Sequence, residues 1–207
     1  MSPREILKIS KIIPVITIDD AKNSVELAKA LMKGGINILE ITLRTKAALE
    51  AIKLISKELP NVTIGAGTVL NAKQLEVAKK AGAKFAISPG FNAIFAKEAL
   101  NIKLPLIPGI ATAGELMLAL EFGFNDVKFF PAQCVGGVKM LKSLNAPFNE
   151  VKFCPTGGIS LDNMNEYLKL ENVLCVGGSW LSPKELIQEK KWSDITKIAQ
   201  KSLEAIS

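Results

Sequence analysis

Two short segments of this chain place reactive side chains at strand spacing. Across residues 36–44 one face carries Ile38, Glu40, Thr42 and Arg44, and the other carries Leu39, Ile41 and Leu43. The uniformly apolar face packs on helices, which turns Glu40 inward and leaves Arg44 at the mouth. A buried carboxylate is costly unless paired, so Glu40 either forms a purely structural ion pair with Arg44 or handles protons. Residues 126–130 repeat the alternation, with Val127 and Phe129 towards helices and Lys128 and Phe130 inward. Desolvation disfavours an ammonium group, so a lysine enclosed by strands is pushed towards a free, nucleophilic amine. The other reading of Lys128 is a salt bridge to Glu40 that does no chemistry. Lys84 and Lys152 also fall on strand-like runs, but near their beginnings.

The chain has no histidine. That removes Ser-His-Asp and Cys-His nucleophile pairs, histidine general bases and the usual zinc sites. A catalyst made from this sequence works with Lys, Glu, Asp, Tyr, Cys, backbone amides or a bound cofactor. No metal site is expected.

Glycine pairs mark two further segments, Pro155-Thr156-Gly157-Gly158-Ile159-Ser160 and Val176-Gly177-Gly178-Ser179. Glycine lets backbone N–H groups approach an anion closely, and Ser179 adds a hydroxyl. A single glycine pair is also what a tight strand-to-helix turn requires. Two pairs facing an inward lysine and an arginine point to phosphate. Gly65-Ala66-Gly67-Thr68 offers another close backbone approach, with Thr68 at the rim. Trp180 and Trp192 read as packing residues.

The elements that position these groups follow from periodicity. Apolar, β-branched runs occur at 12–18, 36–43, 61–67, 84–88, 104–108, 126–130, 150–154 and 172–176. Between them lie stretches with apolar residues every three or four positions, several ending at glycine. Eight strands alternating with helices at even spacing predict an α/β fold, a closed (β/α)8 or TIM barrel formed by residues 1–207 as a single domain. An extra N-terminal helix at 2–10 is expected to plug the barrel bottom. An open doubly wound sheet is disfavoured, because no glycine-rich turn follows the first strand. In a barrel the C-terminal ends of the strands carry the function, and Lys128 and both glycine pairs lie there.

Composition sets the outer bounds. The 207 residues are 48% hydrophobic and 22% charged, which suits one globular core. The net charge of +6 comes from lysines scattered over predicted helices beside acidic residues. With no basic stripe interleaved with aromatics, nucleic acid is not an expected partner, and mild attraction of an anionic substrate is. Three cysteines without a CxxC pair read as reduced thiols in a cytoplasmic protein. Cys134 reads either as a bland loop residue or as an oxidation target. The N-terminal MSPREILKIS has no apolar core, and no run of 18 apolar residues occurs, so neither export nor membrane insertion is expected.

The segments IPVITI, LEITLRT, GAGTVLN, FAISPG, PLIPGI, ELMLAL, VKFFPA, GGVKML, FCPTGGIS and VGGSWL, in this order, closely resemble the bacterial 2-keto-3-deoxy-6-phosphogluconate (KDPG) and 2-keto-4-hydroxyglutarate (KHG) aldolases. The resemblance spans nearly the whole chain. It implies a homotrimeric class I aldolase of the Entner–Doudoroff pathway that needs no cofactor and acts on a small keto-acid phosphate. By the same resemblance Lys128 forms the Schiff base, Glu40 takes and returns protons, and Arg44 and Thr68 hold the pyruvate carboxylate. Pro89 and Phe130 shape the pocket, Thr156 meets the aldehyde half, and Gly157, Gly158 and Ser179 receive the phosphate. One departure stands out: Gln133 occupies a position where many relatives carry glutamate. Three alternatives stay open. They are a preference for the 6-phosphogalactonate epimer, a preference for unphosphorylated 4-hydroxy-2-oxoglutarate, and a phosphosugar-binding barrel in which Lys128 and Glu40 are only a structural pair.

Overall fold

The computed structural model describes residues 1–206. Its strands are β1 (Ile12–Ile16), β2 (Ile38–Thr42), β3 (Thr63–Gly67), β4 (Phe85–Ile87), β5 (Leu106–Ile107), β6 (Gly109–Ile110), β7 (Asp126–Phe129), β8 (Lys152–Pro155) and β9 (Val176–Gly178). The helices are α1 (Pro3–Leu7), α2 (Ser24–Lys33), α3 (Ala48–Glu58), α4 (Ala72–Lys80), α5 (Ala93–Ile102), α6 (Ala113–Glu121), α7 (Gly137–Asn145), α8 (Met164–Leu168), α9 (Lys184–Gln188) and α10 (Trp192–Glu204). Every strand pairing is parallel. The result is an α/β fold with a curled parallel sheet.

The ladders fall into a six-stranded sheet, β5-β4-β3-β2-β1-β9, and a three-stranded one, β6-β7-β8. Parallel bridges between Phe153 and Val173 and between Thr156 and Gly177 connect the second sheet to the β9 edge of the first. The run expected as one strand at 104–108 extends to Ile110 and is divided into β5 and β6 at Pro108, which has no N–H to give to a ladder. The Pro108 carbonyl still accepts the Lys128 amide at 2.8 Å, so β7 is held in register where β5 passes into β6. The last strand also lies later than its expected run, at Val176–Gly178 in place of 172–176. Its glycines pair with Ile13 and Pro14 of β1.

Side chains divide into two apolar layers. Leu39, Ile41, Val127 and Phe129 belong to the larger core between sheet and helices. A smaller cluster inside the curl joins Ile13, Ile38, Phe85 and Ile107 to Ile6 and Leu7 of α1. That helix is shorter than the expected 2–10. Ser2 and Glu5 form a capping box and Pro3 begins the first turn, which fixes its start. Arg4 then pairs with Asp126 at the base of β7. Burial pushes the Asp126 carboxyl up from its ordinary range, and the adjoining Arg4 guanidinium opposes that. The ion pair anchors the strand that carries Lys128 two residues further on. Lys84 and Lys152 cap carbonyls at the same end, of Pro60 and Val62 and of Glu171 respectively. Among the described residues no helix is long and apolar enough to cross a membrane.

Candidate active site

Glu40 and Lys128 meet inside the curl. Lys128 Nζ lies 3.5 Å from Glu40 Oε1, with the two residues 4% and 1% exposed. Glu40 Oε1 accepts no hydrogen bond, although it is fully enclosed. A buried, unsatisfied carboxylate oxygen beside an amine is costly in a resting fold, and a substrate hydroxyl or a water would satisfy it. The carboxylate has room only because Gly67 has no side chain: a Cβ there would stand 2.1 Å from Oε1. The Phe130 ring lies beneath the amine, its centroid 5.1 Å from Nζ, a cation–π distance. Phe130 is joined to Pro131 by a cis peptide bond.

At the rim, Arg44 donates from Nε to Thr68 Oγ1 at 3.1 Å. Thr68 follows directly after β3 with φ +56°, a left-handed conformation that a β-branched residue rarely adopts. Strain of this kind costs about 1–3 kcal/mol and concentrates at ligand sites. Here it turns the hydroxyl towards Arg44. Beside them the Thr42 hydroxyl donates to the Ile16 carbonyl at 2.9 Å and contacts the Thr17 hydroxyl at 3.1 Å, closing the gap between β1 and β2.

A cavity of about 140 Å³ opens next to these groups, lined by Val15, Arg44, Phe130, Thr156–Ile159 and Gly177–Ser179. Gly157 and Gly158 have φ values of +99° and +75°. Among the described residues, the amides of Gly157, Gly158 and Ser179 donate to no protein acceptor. Successive free amides in such a turn form a concave nest for an anion. Thr156 stands at its inner edge, hard against Gly177, where an added Cβ would lie 2.3 Å from Thr156 Oγ1. The Trp180 ring backs Gly178 and its Nε1 donates to Ser202 at 3.0 Å, which is a packing role. Cys154 and Cys175 are buried among the inward-facing residues, and burial together with the neighbouring Cys154 thiol pushes the Cys175 thiol up. Among the described residues no group of three or more His, Cys, Asp or Glu is placed to hold a metal ion.

The fold thus gathers most of the residues singled out in the sequence. Arg44, Phe130, Thr156, Gly157, Gly158 and Ser179 line one cavity, with Lys128 and Glu40 at 3.5 Å from each other alongside Phe130. Thr68 joins through Arg44. Pro89 does not line the cavity; its carbonyl packs against Gly109, the register partner of Lys128. The structural ion pair considered between Glu40 and Arg44 is not formed, because Arg44 lies beyond the end of β2 and turns to Thr68 while Glu40 faces Lys128. Three features escaped sequence reasoning: the space Gly67 leaves for Glu40, the Thr17–Thr42 pair, and a hydrogen bond from Tyr167 to Gln133. Only the first left a signal, the glycine alternation of Gly65-Ala66-Gly67.

Parallel strands that bring a buried amine, a carboxylate and a glycine-lined cavity together towards their C-terminal ends define an α/β enzyme of the carbonyl-attacking type. The particular group follows from comparison with known proteins: the chain belongs to the KDPG and KHG aldolase family, whose profile matches residues 4–198. It is 48% identical over 203 residues to the KHG/KDPG aldolase of Escherichia coli K12, covering 98% of this chain and 95% of that protein. The crystal structure of KDPG aldolase from Legionella pneumophila, with pyruvate captured as a covalent carbinolamine intermediate, superposes with a TM-score of 0.96. It is 45% identical and covers 98% of both chains. The KDPG aldolase of Zymomonas mobilis ZM4, solved with 3-phosphoglycerate, gives a TM-score of 0.90 at 42% identity, covering 99% of this chain and 98% of that one.

Proposed function

We propose that this chain is a class I aldolase that cleaves 2-dehydro-3-deoxy-6-phosphogluconate to pyruvate and glyceraldehyde 3-phosphate. The same site would split 4-hydroxy-2-oxoglutarate to pyruvate and glyoxylate. The observation that carries this reading is the enclosed Lys128–Glu40 pair, 3.5 Å apart with a carboxylate oxygen left unsatisfied. The carbinolamine trapped in the Legionella relative supports it.

The Lys128 side-chain nitrogen, once its proton has been given up, attacks the C2 carbonyl carbon, giving a carbinolamine that loses water to a protonated imine. Arg44 and Thr68, joined at the rim, hold the carboxylate at C1. Glu40, directly or through one water, removes the proton from the C4 hydroxyl. The C3–C4 bond breaks, its electron pair passes to the imine nitrogen as an enamine forms, and C4 leaves as the aldehyde. Glu40 returns its proton to C3, and water at C2 releases pyruvate and the amine. Phe130 shapes the enclosure, with Pro89 acting from behind through Gly109, Thr156 meets the aldehyde, and the amides of Gly157, Gly158 and Ser179 hold the phosphate with the Ser179 hydroxyl. No step calls on a cofactor or a metal.

The finer architecture belongs to the same proposal. The described residues form one domain, and the two sheets read as a single eight-stranded (β/α)8 barrel with α1 as an extra helix under its base. The bridges Phe153–Val173 and Thr156–Gly177, and the continuity of the chain through Pro108, support that closure. The working form is a cytoplasmic homotrimer with no nucleic-acid or membrane partner. Leu70, Ile94 and Met117, each more than half exposed, offer apolar surface for association, and Cys134, Cys154 and Cys175 are all free thiols.

Incubation with pyruvate and borohydride tests the proposal. The wild-type chain is expected to gain one stable pyruvate-derived adduct, mapped to Lys128 by peptide mass. Lys128→Met is expected to gain none and to lose all measurable cleavage. A wild-type chain that acquires no adduct overturns the Schiff-base reading.

A further inference from the structure

The anion nest is held from behind, by groups that do not line the cavity. Ala132 N donates to the Thr156 carbonyl at 2.8 Å and Gln133 N to the Gly157 carbonyl at 3.0 Å. Asn163 Nδ2 donates to the Gly158 carbonyl at 3.0 Å. With the carbonyls tied back in this way, the amides of Gly157 and Gly158 are left free. The Gln133 side chain also bears on the turn: a Cβ added at Gly158 would stand 2.5 Å from Gln133 Cβ.

The far end of that side chain is itself fixed. Tyr167 OH donates to Gln133 Oε1 at 2.7 Å. Tyr167 lies on α8, just downstream of the glycine turn, and is 1% exposed. Burial pushes its phenol up, so it remains a protonated donor. Room for the bond comes from Gly137, where an added Cβ would lie 3.0 Å from the Tyr167 oxygen and 3.6 Å from Gln133 Oε1. The clasp therefore has its own accommodation in the fold. Its acceptor is also neutral. A carboxylate in its place would accept the same proton but would put negative charge behind amides that face an anion.

We infer that Gln133 and Tyr167 are positioning residues that set the preference for a phosphorylated over an unphosphorylated keto acid, by fixing the Gly157–Gly158 turn. The inference rests on the aldolase reading for its substrates, but not for its geometry. Neither residue touches the Lys128 end of the site, so only the substrate that reaches the nest should sense them.

The test uses Tyr167→Phe, Gln133→Leu, the double variant and Gln133→Glu in the full chain. Removing a neutral hydrogen bond corresponds to about a three- to tenfold rise in KM for the phosphorylated keto acid. The kcat for that substrate, the KM for 4-hydroxy-2-oxoglutarate and the borohydride adduct with pyruvate are expected to hold. The double variant is expected to be no worse than either single one, since both remove the same bond. Gln133→Glu keeps the acceptor, so its penalty is expected to shrink as salt screens the added charge. The Kd of 3-phosphoglycerate should rise in parallel in all four. Equal losses on both substrates, or none on either, overturn the inference. If the wild type forms no pyruvate adduct, the aldolase reading fails by itself, and the 3-phosphoglycerate affinities still decide the role of the clasp.

Discussion

The part of the site that holds Lys128 and Glu40, beside Phe130, is made of side chains on strands, and the part lined by Gly157, Gly158 and Ser179 is made of loop backbone. At the first end each group is enclosed and its direction is set by strand alternation, on β2 and β7. Chemistry on a carbonyl carbon needs this, because a proton acceptor and a nucleophile displaced by an ångström lose most of their rate. At the second end the glycine turn presents backbone amides, and their direction depends on the turn being kept in a left-handed form. Electrostatic preorganisation of this kind is only as good as the framework behind the turn. The two ends should therefore fail differently: the first in turnover on every substrate, the second in affinity for one class of substrate.

The sharpest contrast is expected from Glu40→Gln. Cleavage of both keto acids should fall by roughly 10²–10⁴-fold, the usual worth of a placed acid–base group, while the imine with pyruvate still forms. Full activity in this variant would remove Glu40 from the mechanism. Gly67→Ala should come next and is a stricter test, because residue 67 carries no side chain and acts only through the space it leaves for Glu40. Its Cβ would lie 2.1 Å from Glu40 Oε1, so the carboxylate must move. A loss on the order of 10²-fold in kcat on both substrates is expected, with KM little changed. An unaffected kcat would show that the strand end tolerates displacement and would break the comparison.

The backbone end should respond more mildly and more selectively. Gly158→Ala meets Gln133 Cβ at 2.5 Å and must hold φ +75°. The cost is about 1–3 kcal/mol, read as a rise in KM for the phosphorylated substrate and a lower melting temperature. The smallest effect is expected from Ser179→Ala, about a two- to tenfold rise in KM for the phosphorylated substrate and none for 4-hydroxy-2-oxoglutarate. Loss on both substrates from Ser179→Ala would mean that the two ends are not separable.

The same contrast explains what could be read in the sequence. Period-two alternation names the inward residues of β2 and β7 without any coordinates, since successive side chains on a strand must point to opposite faces. Glu40, Arg44 and Lys128 were legible for that reason, and so was the apolar layer between sheet and helices; the smaller inner cluster was not. The anion loops were legible only as glycine pairs, which also serve as ordinary turns. Strand limits were less legible. Pro108 divides a run that continues to Ile110, and β9 begins where its apolar run ends, because ladder pairing with β1 decides the strand rather than hydropathy.

What the sequence determined by itself was the chemistry on offer. A chain with no histidine, one lysine near the end of a strand and a glutamate on an inward face had few other ways to attack a carbonyl. What only the tertiary structure decided was which of these groups meet. Glu40 pairs with Lys128 and not with Arg44, Thr68 takes Arg44, and Gln133 takes Tyr167 from 34 residues away. Alternation fixes the side of a strand on which a residue lies. Closing distances between strands and loops depends on packing, and packing is a property of the whole chain.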